Sequence, residues 1–177
     1  MVIAGIVIGI LLILVLMYNS LINKKNQVDN SFGGMDVQLK KRYDLIPNLI
    51  SAVKTYMKHE ADTLTEITDL RTKALSGGIS DDEKVDLDNK ISSHLSGIMV
   101  AVENYPDLKA SDNFIQLQRS LNEVEEQISA SRRSYNAAVT DYNKQYINYI
   151  IDIGRLNDKI HYTFNNYILI KLYKLKS

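Results

Sequence analysis

Apolar residues follow two different patterns along the chain. Residues 1–17, MVIAGIVIGILLILVLM, are apolar on every side, and no charged side chain occurs before Lys24. From Leu21 onward the apolar positions recur at steps of three and four. That is the period of a helix with one buried face, and no two-residue alternation persists. The pattern predicts an all-α chain: an N-terminal transmembrane helix followed by an elongated antiparallel bundle of about four long helices.

The first stripe is Leu21, Val28, Phe32, Met35, Leu39 and Tyr43, with Asp36 and Lys40 expected to pair at i,i+4 on its polar side. Proline lacks a backbone donor and clashes with the preceding turn, so Pro47 predicts a helix start or a kink. The second stripe runs through Leu49/Ile50, Val53, Tyr56/Met57, Leu64, Ile67 and Leu70 to Ser76-Gly77-Gly78, where glycine can take the left-handed cap. Ser80-Asp81-Asp82-Glu83 reads as a capping box with acids over the first turn. The third helix carries Val85, Ile91, Leu95, Ile98, Met99 and Val102 and stops before Pro106. The fourth starts near Ser111-Asp112. Its positions Phe114, Leu117, Leu121, Val124, Ile128, Ser131, Tyr135, Ala138 and Tyr142 make a heptad seam of the coiled-coil kind. Such a seam expects near-antiparallel packing at a shallow angle. Ser111 to Lys144 would extend roughly 50 Å, giving a rod.

A bilayer core of ~30 Å needs roughly 20 apolar residues in a helix, so residues 1–22 read as a lipid-spanning anchor with Tyr18 at an interface. A secretory signal would need a basic start and a small-x-small cleavage site, and neither is present. Lys24, Lys25, Lys40, Lys41 and Arg42 all follow the span. The positive-inside rule then expects a single-pass cell-membrane protein with its N-terminus outside and its bundle in the cytoplasm. The expected divisions are 1–22 anchor, 23–145 helical bundle and 146–177 C-terminal tail.

Composition narrows the chemistry. The 177 residues hold 21 basic and 21 acidic side chains, and a net charge of zero does not favour nucleic acid. The absence of cysteine excludes disulfides, thiolate nucleophiles and cysteine-based zinc sites. The Tyr-, Asn- and Ile-rich, Trp-free composition fits an AT-rich bacterial coding sequence. His59, His94 and His161 lie far apart, and Thr63 stands where a second zinc-binding histidine would follow His59-Glu60. There is no phosphate loop and no nucleophile elbow. Asp81, Asp82, Glu83, Asp86 and Asp88 lack calcium-loop spacing and read as acids at a helix start. No catalytic residue, metal ligand or cofactor is assigned. Among the polar residues beside the stripes (Asp44, Asn48 and Arg133 included), Arg42, Glu60, Arg132 and Asn136 are the candidates for a polar layer inside the bundle. Such a layer would fix register. Alternatively, these long side chains snorkel to the surface.

Several segments carry a family resemblance. Tyr18-Asn19-Ser20-Leu21, Asn26-Gln27-Val28-Asp29, the run from Asp36 to Leu49 containing DLIPNL, Lys58-His59-Glu60, the run Tyr105–Ala110 (YPDLKA) and the run Arg132–Val139 (RRSYNAAV) closely resemble the LemA family, from about residue 2 to Lys144. The resemblance implies a bacterial single-pass membrane protein with a long α-helical bundle, and it implies no activity. Past Asn143 the family pattern of a short Ser/Phe-Pro turn and an apolar segment is missing. From Tyr146 the tail holds five basic and two acidic residues, and the seam is expected to fade there. The tail reads either as a basic amphipathic segment that touches anionic lipid or as a non-homologous terminus.

The expected function is a membrane-anchored helical scaffold or interaction module without catalytic activity. Its partners would be the bilayer through residues 1–22 and other proteins, a second copy of the chain among them, and not nucleic acid. The alternative is an envelope-stress sensor or regulator acting through helix packing. A hydrolase with a non-obvious site ranks third.

Overall fold

The computed structural model describes the backbone of residues 2–174 and the side chains of residues 2–155 and 157–159. Helix α1 runs unbroken over Val2–Val53. A 3-10 turn at Lys58–Glu60 leads into α2 (Ala61–Leu75), then α3 (Asp81–Val102), the single turn α4 (Pro106–Lys109) and α5 (Asp112–Lys174). Among the described residues every regular element is helical. The chain divides into two compact units, residues 30–135 on one side and 1–29 with 136–177 on the other. The divisions fall inside α1 and α5, so each of these helices contributes to both units.

Of the helix start or kink that Pro47 predicts, the start does not occur; the proline sits inside α1. An interior proline removes the bond that its N–H would make to the carbonyl four residues back. That carbonyl belongs to Tyr43, and Arg71 of α2 donates to it from Nε at 2.7 Å. A side chain from the neighbouring helix thus supplies the missing donor. The break comes later, over residues 54–57, and α2 begins only at Ala61.

In the unit of residues 30–135, the ends of α1, α2, α3 and α5 are joined by connections of at most nine residues, and α2 packs along α3. The core is the four predicted stripes turned inward. Phe32, Met35, Leu39, Tyr43, Ile46, Leu49, Val53 and Met57 meet Leu64 and Ile67, Leu87, Ile91, Leu95, Ile98 and Val102, and Phe114, Leu121, Val124 and Ile128. Leu117 and Tyr135 are partly buried against it. The Phe32 and Tyr135 rings meet edge-on at 5.6 Å. Ile46, Ala74, Leu87 and Leu108 are core residues that the stripes did not include. Asp36 pairs across to Lys84 of α3 at 2.6 Å rather than along its own helix to Lys40, and the Lys84 ammonium also lies 5.9 Å from the Phe32 ring centre. The cap signals behave as expected: Ser80 Oγ accepts from the Glu83 N–H, and Gly78 takes a φ of 88° after α2.

In the second unit, residues 2–16 of α1 are almost entirely exposed, and this stretch is long and apolar enough to cross a membrane. α5 runs antiparallel beside it. Lys24 pairs with Asp141 at 3.5 Å, and Gln145 Nε2 donates to Ser20 Oγ at 2.5 Å. The seam runs one step past its expected end, with Tyr142, Gln145 and Tyr149 half-buried at steps of three and four, and then fades as expected: residues 150–155 are exposed. The polar Gln145 hid that continuation, because its partner is a serine. Most of the expected tail is therefore a continuation of α5; the side chains from residue 160 and all of residues 175–177 lie outside the described residues.

Two outcomes follow. Leu121→Ala destabilises the folded chain by about 2–5 kcal/mol in urea unfolding, since Leu121 is buried in the core. Arg71→Ala costs about 1–3 kcal/mol by orphaning the Tyr43 carbonyl, and much less in a Pro47→Ala background, where residue 47 regains a backbone donor. Additive losses in that double-mutant cycle would show that Arg71 acts elsewhere.

Candidate functional site

Acidic and basic side chains meet inside the bundle at one place. The α3 stripe of Ile91, Leu95, Ile98 and Val102 extends backward by a step of three to Asp88, so the helical period places a carboxyl on the core face. On α1 the same period places Arg42 between Leu39 and Ile46. Asp88 and Arg42 are 0% and 1% exposed. Arg42 Nη1 donates to Asp88 Oδ1 at 2.7 Å and to Ser92 Oγ at 2.6 Å, while its Nη2 donates to Glu125 of α5. The other oxygen of Asp88 accepts from Arg132 Nη2 of α5 at 2.9 Å. One buried carboxylate thus holds two guanidiniums and ties three helices together.

The electrostatics follow from burial. Loss of water pushes the Asp88 carboxyl above the usual carboxylate range, and the two guanidiniums only partly pull it back. Burial likewise lowers the Arg42 guanidinium, opposed by Asp88. Beside them the Tyr43 hydroxyl is raised, first by burial and then by the Asp88 charge, and it has no hydrogen-bond partner among the described residues. Desolvation of this size means that the cluster adds little net stability, but each member becomes costly to leave unpaired.

Of the four expected members of a polar layer, the structure brings Arg42 and Arg132 together. Glu60 belongs elsewhere: half-buried, it accepts from the Tyr105 hydroxyl at 3.1 and 3.2 Å. It lies in the 3-10 turn before α2, not within a helix register. This pairing joins the 54–60 and 103–111 connections, and the Tyr105 hydroxyl is raised by partial desolvation and by the Glu60 carboxylate. Asn136 is exposed and falls outside the unit that holds the cluster, so it is no part of the layer. Asp44, Asn48 and Arg133 are exposed as well. The residues missed were Asp88, Ser92 and Glu125. Asp88 had a usable signal, its place in the α3 stripe, hidden because it follows a run of helix-start acids. Exposed Glu125 had none.

Surface grooves flank the core of this unit. One, of 430 Å³, opens beside Arg42, Ser92 and Glu125. Another, of 560 Å³, is lined by uncharged polar groups including Asn48, Ser51, Asn113 and Gln116. In the first, Ser92 and Glu125 both accept from Arg42. His59 is exposed, and His94 lies 3.5 Å from Glu66. What the cluster can do chemically is lock helix register.

Asp88→Asn should therefore destabilise the fold by about 3–5 kcal/mol, because it removes the buried counter-charge of Arg42 and leaves that guanidinium only the half-exposed Glu125. Glu125→Gln should change stability by about 1 kcal/mol or less, since its side chain is 54% exposed. Replacing the pair, as Arg42→Met with Asp88→Leu, should cost less than Asp88→Asn alone. Denaturant unfolding of the three variants checks the order.

The LemA family pattern matches residues 31–161, which starts later and runs 17 residues further than the resemblance read from motifs. Protein LemA of Metamycoplasma hominis is 28% identical over 127 residues, covering 72% of this chain and 58% of that protein. The magnetosome protein MamQ 2 of Paramagnetospirillum magneticum is 23% identical over 162 residues, 77% of this chain and 60% of that protein. MamQ of Magnetospirillum gryphiswaldense is 20% identical over 155 residues, 73% and 57% respectively. The chain thus spans 57–60% of the length of these relatives. The family match takes in α2, α3 and the stretches of α1 and α5 that meet at Asp88, and on that extent the chain belongs to the LemA family.

Proposed function

We propose that the protein is a membrane-tethered helical module that works by binding other proteins, with no chemistry of its own, and that its bundle lies on the cytoplasmic side. The observation that carries this reading is the division of labour along α1. Its first stretch is apolar and exposed on all sides, while residues from Phe32 to Val53 supply one wall of a packed core. An exposed apolar helix of that length is stabilised by lipid, and the basic residues that follow it favour the inner face. The buried charges support a structural role, because their strongest contacts are with one another.

A second reading, a sensor or regulator of the cell envelope, draws on the continuity of α1. A helix unbroken from Val2 to Val53 offers a mechanical path between a membrane segment and a core. It differs from the first in requiring two packing states.

Protease added to intact cells is expected to spare the bundle, and protease added to inverted vesicles to digest it. Digestion in intact cells would reverse the orientation. A turnover that depends on Glu60 or His59, with the fold intact, would replace the binding reading with an enzyme.

A further inference from the structure

The groove beside Arg42 already holds a carboxylate. Glu125 reaches in from α5 and accepts from Arg42 Nη2 at the edge of this 430 Å³ space. The two acids of the cluster are held differently. Asp88 is enclosed on all sides and engages both Arg42 and Arg132. Glu125 has one partner, and its side chain is 54% exposed. It can turn into water at little cost, because an ion pair with an exposed member contributes little.

The charge balance then calls for a replacement. Arg42 and Arg132 carry two positive charges against one each on Asp88 and Glu125. With Glu125 turned away, Asp88 alone faces both guanidiniums, and Arg42 Nη2 has lost its acceptor at a residue 1% exposed. A buried charge is costly to leave unpaired, so the vacated place favours an anion. A guanidinium matches a carboxylate in shape as well as charge. Ser92 Oγ, which accepts from Arg42 Nη1 at 2.6 Å, still has its own proton to donate there.

The rest of the groove selects what carries the carboxylate. Leu95 and Leu121 are buried and Met99 is half-buried, so one wall suits a short aliphatic side chain. Ser96 donates its hydroxyl proton to the Ser92 carbonyl at 2.9 Å and keeps its lone pairs for an incoming N–H. Exposed Asn122 adds an amide on the α5 side. A carboxylate, an aliphatic side chain and an amide N–H within a few ångströms of one another are what the last residue of a polypeptide presents.

We propose that this groove binds the C-terminal carboxylate of a partner polypeptide whose last residue is aliphatic, and that Glu125 is an internal stand-in which the partner displaces. The proposal rests on the reading of the protein as a binding module and names the chemistry that its partner presents.

The probe is N-acetyl-leucine labelled with 13C at its carboxyl carbon, titrated against the purified full-length protein and followed by the carbon chemical shift. The unaltered chain should give a saturable shift. Glu125→Ala, with its circular dichroism unchanged, should bind the probe about fivefold more tightly, the most that an exposed ion-pair partner withholds. Adding Asn122→Asp returns a carboxylate to the groove and should weaken binding again. N-acetyl-leucinamide, which has the side chain and no carboxylate, should not compete. The absence of a saturable shift in folded Glu125→Ala, equal affinity with and without Glu125, or displacement by acetate as effective as by unlabelled N-acetyl-leucine (an adventitious ion only) overturns the proposal. The same samples tell its failure from that of the binding reading. No binding with the probe intact defeats the groove alone. Release of free leucine, which requires the chain to hydrolyse the amide, defeats the reading without chemistry and the proposal with it.

Discussion

Asp88 carries the tightest constraint in the structure. A carboxylate with no access to water must find donors, and it finds one on each of two other helices, Arg42 of α1 and Arg132 of α5. Leucine and isoleucine stripes tolerate sliding by a turn at modest cost, because one apolar contact resembles the next. A guanidinium held at 2.7 Å does not tolerate it. The apolar core supplies the driving force for assembly, and a buried charge cluster of this geometry is suited to selecting one alignment from those that the core would accept.

The same logic governs how the long helices survive their own sequence. α1 contains a proline that should interrupt it, and Arg71 of α2 repairs the loss by donating to the Tyr43 carbonyl. Tyr43 is thereby engaged twice, its backbone by Arg71 and its ring by the core next to Arg42. Continuity of α1 is thus a tertiary property. It lets a single helix serve an apolar segment at one end and the bundle core at the other, which is the feature on which the proposed tethering role depends.

α5 shows a second consequence of helix length. Beyond residue 135 it stops serving the bundle and runs beside the apolar part of α1, carrying charged residues along it. Charged residues cost little on a helix face in water and are expensive beside a segment suited to lipid.

Much of this was legible in the chain. Helical class follows from the three-and-four spacing, since only an inward-facing helix surface needs apolar residues at that period. The apolar N-terminal stretch, the Ser80 cap and the Gly78 turn are local, so neighbouring residues determine them. The buried Arg42 and the partly buried Arg132 were suggested by their places beside the stripes. The rest depended on partners distant in sequence. Pro47 announces a helix start or a kink, and the helix runs on through it with Arg71, 24 residues later, donating to the Tyr43 carbonyl. Asp88 reads as one more helix-start acid until two arginines, 46 and 44 residues away, enclose it. Glu60 fits an apolar register that the turn at residues 54–60 removes, and Gln145 ends a seam that Ser20 continues. In each case the sequence supplied the group, and the tertiary structure decided its role, because a polar side chain takes its energy from the partner it meets, and spacing along the chain does not specify that partner.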